Sequence, residues 1–149
     1  MQFFILGREE IGRFELSHKY IVISIKDPRS EDAELPESYN RVDVLRLAFH
    51  DWNEKQREYI EKEFPTSPTA QKMVYFNEDD AKAVVDFVLK HKDEVEVIVT
   101  QCEAGISRSA GMAAGICKGL GQDDSQIFLK YLPNSLVYKL VLNEFMKRR

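Results

Sequence analysis

Val97-Ile-Val-Thr-Gln-Cys102-Glu-Ala-Gly105-Ile-Ser-Arg108-Ser109-Ala-Gly-Met112 carries a strand, a loop and a helix start in one continuous piece. The run Val95 to Thr100 is β-branched with few charges, the pattern of a strand buried on both faces of a parallel sheet. Met112, Ala113, Ile116, Cys117 and Leu120 then recur on one helical face, with Gly119 and Gly121 as the stop signal. Strand, loop and helix in this order are the unit of an α/β fold, whose sites lie at the carboxyl edge of the strands. Cys102 stands at that edge.

Working outward, Phe3 to Leu6, Tyr20 to Ile25 and Val42 to Phe49 read as three more strands of the same buried kind. Asn77 followed by three acids opens a helix whose apolar stripe is Ala81, Val84, Val85, Val88 and Leu89. After the Gly-bearing loop and its helix come two C-terminal helices. One carries Ile127, Phe128, Tyr131 and Leu132 and stops at Pro133; the other carries Leu136, Val137, Leu140, Val141 and Phe145. The stretch from Asn53 to Lys72 is a surface excursion: Asn53 and Gln56 cap a short helix through Phe64, and Pro65 to Thr69 breaks it. The expectation is one α/β domain over residues 1–149, with a mostly parallel central sheet of four to five strands flanked by helices.

Composition narrows the function classes. The 149 residues include 21 Lys+Arg against 25 Asp+Glu, a net charge of −4, and are 44% hydrophobic. Such a chain buries a core of ordinary size and is not disordered. An acidic balance argues against coating nucleic acid. Two cysteines cannot staple a secreted framework, and no run approaches the roughly 18 apolar residues of a membrane span. A reducing cytoplasmic location is expected, with neither nucleic acid nor membrane as partner.

The loop after Cys102 has the makings of an anion cradle. Backbone N–H groups closing onto a helix N-terminus point inward, and the helix dipole adds about half a positive charge there. Arg108 presents a planar fork to two oxygens of one anion. Such surroundings favour the thiolate of Cys102 over the thiol, and the thiolate is the nucleophile. The bland alternative is a buried thiol beside a surface arginine. Gly105, the flanking Ser107 and Ser109, and the strand-loop-helix setting favour the chemical reading.

Cys102-Glu-Ala-Gly-Ile-Ser-Arg108-Ser109 resembles the C-x-x-x-x-x-R-S/T signature of cysteine-dependent protein tyrosine phosphatases, in particular their compact dual-specificity branch. The likeness is most specific over Val95 to Gly115 and extends, more loosely, over most of the chain. It implies a metal-free, cofactor-free phosphatase that hydrolyses phosphomonoesters, with phosphotyrosine in proteins the default substrate and phosphoserine or phosphothreonine also in range. Cys102 would form the phosphocysteine. Glu103, Ala104, Gly105, Ile106, Ser107 and Arg108 would form the phosphate-binding loop, with Arg108 as clamp and Ser109 stabilising the departing thiolate. Phosphate, vanadate and sulfate would bind there.

The resemblance also calls for an upstream aspartate as general acid and base, for which Asp51 is the candidate. Its distance from Cys102 exceeds the family's usual spacing by about the Asn53 to Lys72 excursion, so His50, Glu54 and the more distant Asp27 stand as substitutes. Gln101 departs from the histidine that usually precedes the nucleophile and brings no titratable charge. A phosphoprotein-binding module without turnover is the alternative from another class; a sulfurtransferase or redox enzyme is a weaker one.

Several residues outside the constellation have plainer expectations. Glu103 should point outward or pair with a base, Cys117 should be a core thiol, and His18 and His91 should lie on solvated faces. Asn134 caps a helix first and lines a pocket second. Lys147, Arg148 and Arg149 complement their own helix dipole. Trp52, Tyr39, Tyr59 and Tyr75 could wall a slot for an aryl phosphate or pack the excursion onto the sheet.

Overall fold

A computed structural model describes the backbone of residues 1–149 and every side chain but that of Thr69. Four strands, β1 (Gln2–Leu6), β2 (Tyr20–Lys26), β3 (Arg41–Ala48) and β4 (Val97–Gln101), pair in the order β1-β4-β2-β3, every pair parallel. Seven helices follow the chain: α1 (Arg8–Ile11), α2 (Glu54–Glu63), α3 (Pro68–Lys72), α4 (Glu78–His91), α5 (Arg108–Gly119), α6 (Ser125–Lys130) and α7 (Ser135–Lys147). The expected α/β architecture is the one observed.

Alternation along the two inner strands sorts the core. Ile21, Ile23, Ile25 and Ile98 face the layer of α4, α5 and α7 with Val84, Val88, Met112, Ile116 and Val137. Tyr20, Val22, Val97 and Val99 face the other way, onto Ile11 of α1 and the irregular segments bearing Phe14, Leu16, Ala33 and Leu35. A period of two in the strands therefore builds two cores on one sheet.

Burial on both faces holds for β2 and β4 but not for β1 and β3. The strand order puts those two at the edges, where β3 is only half-buried and exposes Arg46 and Ala48, and β1 exposes Gln2. The polar side chains of Arg46 and Gln2 blunt these open edges.

Local capping signals are realised as read. Asn53 and Gln56 form a reciprocal capping box on α2, and Asn77 and Asp80 one on α4. The Pro65 to Thr69 break is shorter than expected, because Ser67 caps a further turn, α3, with Pro68 at its first position. Helix α6 departs furthest. It ends at Lys130 and buries none of its residues, leaving Phe128 and the following Leu132 46% and 75% exposed.

His91 is likewise not on a solvated face. Its ring is buried between Asp43 of β3, at 2.9 Å, and Glu94, tying the end of α4 to the sheet edge. His18 is exposed. At the chain end Arg148 reaches the carboxylates of Glu144 and Asp86, while Arg149 donates to the Gly119 carbonyl, so this basic end clamps neighbouring helices as well as closing its own.

Candidate active site

Parallel pairing aligns the carboxyl ends of all four strands on one edge, with Leu6 and Ser24 opposite Gln101 and Ala48 opposite Lys26. The residues just beyond them, Gly7, Asp27, Phe49 to Asp51 and Cys102, are thereby gathered into one place.

Cys102 is 2% exposed, on the helix side of the sheet. Its Sγ accepts the Gly105 N–H at 3.3 Å and lies 3.1 Å from the Ser109 hydroxyl at the start of α5. Ser109 is itself held, as its carbonyl accepts from Thr100 at 2.8 Å. The loop turns on Gly105, whose φ of 72° suits glycine and whose added Cβ would sit 2.6 Å from the Gly7 nitrogen. Behind the loop, Cys102 N–H donates to Leu6 and Arg8 N–H to Glu103. The Arg8 guanidinium grips the Glu103 carboxylate at 2.7 Å and donates to the Glu31 carbonyl. Hydrogen bonding to Glu103 raises the already high Arg8 pKa. Glu103 thus pairs with a base, and Gly7 and Arg8 are supporting residues that sequence reading missed; a Gly-Arg pair directly after a strand was their one visible signal.

Arg108 is 6% exposed at the first position of α5. Its Nη1 donates to Asp27 at 2.7 Å and to the Phe49 carbonyl at 2.9 Å, whereas its buried Nε has no partner among the described residues. A buried guanidinium N–H without an acceptor is costly, and an oxyanion in the loop would satisfy it.

Asp51 faces the far side of the same loop. Its Oδ1 accepts from the Ser107 hydroxyl at 2.8 Å and the Asn134 amide at 2.9 Å, and no partner of Oδ2 occurs among the described residues. The long spacing to Cys102 does not displace it. His50 and Val74 close the base of the excursion with two hydrogen bonds, backbone N–H to carbonyl at 2.7 Å and Val74 N–H to the ring Nδ1 at 3.0 Å. The added chain loops out as α2 and α3. The substitutes have other partners: His50 serves in that closure, Glu54 pairs with Lys139 at 3.0 Å, and Asp27, within the site, holds Arg108.

Gln101 is fully buried on the opposite face from Cys102. It donates to the Cys102 carbonyl at 3.0 Å and accepts from the Ser24 hydroxyl at 2.5 Å, joining the loop to the neighbouring strand. Asn134 does both things expected of it. Its Oδ1 caps Leu136 and Val137 of α7, and its amide holds Asp51 and the Trp52 carbonyl. Gly111 permits this, for a Cβ there would lie 2.5 Å from the Asn134 carbonyl. Cys117 is buried away from the loop, where burial, chiefly, pushes its thiol pKa up.

The aromatic residues proposed as walls do not line the cleft beside the loop. Tyr39 is fully exposed, Tyr59 packs on Phe64, and Tyr75 lies under Arg57. That cleft, of about 490 Å³, runs instead from Asp51 and Ser107 to Phe128, Leu132 and Pro133. Among the described residues no group of three or more His, Cys, Asp or Glu side chains is arranged to hold a metal ion, and no helix is long and apolar enough to cross a membrane.

No protein-family model and no curated protein matches the chain. Solved structures do. The human tyrosine phosphatase-like serine/threonine/tyrosine-interacting protein is similar with a TM-score of 0.52 over 87% of this chain and 78% of its own, at 16% identity. Tk-PTP in the active form aligns over 95% and 85% of the two chains at 16% identity, with a TM-score of 0.47. The parallel sheet, the loop at its carboxyl edge and the helices around it are a tyrosine phosphatase-like fold.

Proposed function

We propose that the protein is a cysteine-dependent phosphatase that hydrolyses phosphomonoesters in proteins, with phosphotyrosine as its default substrate. One observation carries this reading. The Sγ of Cys102, contacted by the Gly105 N–H and the Ser109 hydroxyl, shares a loop with a buried Arg108 whose Nε lacks an acceptor.

In the proposed reaction the Cys102 thiolate attacks phosphorus and the ester P–O bond breaks. Loop N–H groups and the Arg108 Nε hold the equatorial oxygens as charge spreads over them. Asp51, protonated at Oδ2, gives its proton to the leaving oxygen. Asp51 then takes a proton from water, which attacks the phosphocysteine. The S–P bond breaks, and the Ser109 hydroxyl donates to the thiolate as it leaves.

The test is hydrolysis of p-nitrophenyl phosphate in EDTA by the wild type and Cys102→Ser, with vanadate as inhibitor. The expected result is metal-independent, vanadate-sensitive turnover that disappears in the variant. Folded wild-type protein that turns over nothing between pH 5 and 8 overturns the enzyme reading. It would favour the second reading, a phosphoprotein-binding module, for which the word "interacting" in the name of the human structural neighbour speaks.

A further inference from the structure

We infer that the cleft between the phosphate loop and the α6 edge receives a phosphoprotein segment in which an apolar residue flanks the phosphorylated side chain and basic residues lie beyond it. The inference rests on the phosphatase-like reading for the position of the phosphate and adds what surrounds it.

The cleft begins at the loop itself, since Ser107 and Asp51 form one wall. Its other wall is Phe128, Leu132 and Pro133, and Ile106, 47% exposed and joined through its carbonyl to Leu132, extends the apolar edge. Core packing leaves these side chains largely in water: Phe128 meets Tyr138 of α7 edge-on yet stays 46% exposed, and Leu132 beyond the helix is 75% exposed. Contiguous large apolar groups left in water beside a reactive loop are the mark of a contact surface. The edge is also fastened to the loop. Leu132 N–H donates to the Ile106 carbonyl at 3.1 Å and Asn134 N–H to the Ser107 carbonyl at 2.9 Å, so a ligand held by the loop meets the edge in fixed register.

Charge selects the occupant. The cleft adjoins a second hollow of about 740 Å³ where Asn53 gives way to Glu54 and Ser135 to Leu136. The two cations lining that hollow, Arg57 and Lys139, are each paired at 3.0 Å with Glu61 and Glu54. Glu58, Glu78 and Asp79 are left to face a ligand. Nucleic acid or a phosphoinositide headgroup would be repelled there, and a small phosphorylated metabolite would leave the apolar edge in water. A peptide with a Leu-like flank and an outlying Lys or Arg satisfies both surfaces.

The experiment uses the Cys102→Ser chain of residues 1–149 and fluorescein-labelled phosphotyrosine peptides with Leu, Ala or Asp flanking the phosphotyrosine, each with and without an outer Lys. Fluorescence polarisation should give a dissociation constant about ten-fold lower for Leu than for Ala, the return expected from burying part of a Leu side chain. Asp should bind more weakly than Ala, and the outer Lys should tighten binding at low salt. Leu132→Asp should erase the Leu-over-Ala advantage; Leu132→Ala should do the same should the charge disturb folding. Equal binding by all peptides, no binding by any, a preference for Asp, or an advantage that survives both Leu132 variants overturns the inference. So does displacement of the peptide by a 5′-phosphorylated oligonucleotide at lower concentration than by unlabelled peptide. Inactivity of the wild type on p-nitrophenyl phosphate would instead count against the enzyme reading alone, because the peptide ranking is read from binding.

Discussion

Arg108 donates through Nη1 to the carboxylate of Asp27 at 2.7 Å, across 81 positions of sequence. The pair turns the guanidinium so that one arm is spent on Asp27 and Phe49 while Nε stays without an acceptor. Asp27 is 41% exposed, so its charge is partly screened, and its main effect is to aim Arg108. Asp27→Asn is expected to raise KM for an aryl phosphate about ten-fold, the low end for a hydrogen bond to a charged group, with a smaller change in kcat. Asp27→Glu should recover part of the loss. Steady-state kinetics with an unchanged KM would remove Asp27 from this positioning role.

Asn134 joins two roles that two substitutions separate. Asn134→Ala removes the α7 cap and should lower stability by about 1 kcal/mol in urea unfolding. Asn134→Asp retains a capping oxygen but replaces the amide that donates to Asp51 by a second carboxylate. Its stability should stay closer to wild type than that of Asn134→Ala. Its turnover of alkyl phosphates should fall more than that of p-nitrophenyl phosphate, and Asp51→Asn should show the same leaving-group dependence. Equal losses on both substrates would take proton donation away from Asp51.

Gln101 and Ser24 form a buried polar pair whose members satisfy one another. Gln101→Leu takes the acceptor from the Ser24 O–H, whose oxygen keeps only the Arg46 guanidinium at 3.4 Å, and frees the Cys102 carbonyl, at an expected cost of about 2 kcal/mol. Adding Ser24→Ala should recover part of that cost, since removing both partners is cheaper than removing one. A double variant whose loss equals the sum of the singles would show that the two side chains do not act together.

Asp43 bears on the pH dependence of folding. Burial alone would raise its carboxyl pKa, but the Val44 N–H and the His91 ring outweigh it and hold the carboxyl below its usual range. A carboxylate with a depressed folded value stabilises above its unfolded pKa of about 3.9, and that contribution is lost as pH falls through the lower folded value. The wild type should therefore lose stability below about pH 4 more steeply than Asp43→Asn. Parallel acid-unfolding curves would show that the contact with His91 contributes nothing.

Much of this protein was legible because its signals are local. Strand runs, the helical stripe of α4 and α5, and caps such as Asn53 with Gln56 depend on residues within a turn or a pleat of each other, where spacing sets geometry. The Cys102 to Ser109 stretch belongs to this class, since its loop is closed by its own strand and helix. The stretch around α6 misled in part: Ile127 and Tyr131 pack against Ile5, Ala110 and Ala113, but Phe128 and Leu132 face the cleft, because periodicity does not say whether a protein core or a cleft lies opposite.

What the amino-acid sequence determined by itself was the α/β class and the strand-loop-helix stretch that carries Cys102 and Arg108 between β4 and α5. Only the tertiary structure decided that Asp27 aims Arg108, that Ser24 supports Gln101, that Arg8 holds Glu103 and that His91 is buried against Asp43. These partners lie between 48 and 95 positions apart. They meet because the order β1-β4-β2-β3 brings distant strand ends and edges side by side, and strand order is set by how whole faces bury against helices. No spacing within the chain records that choice.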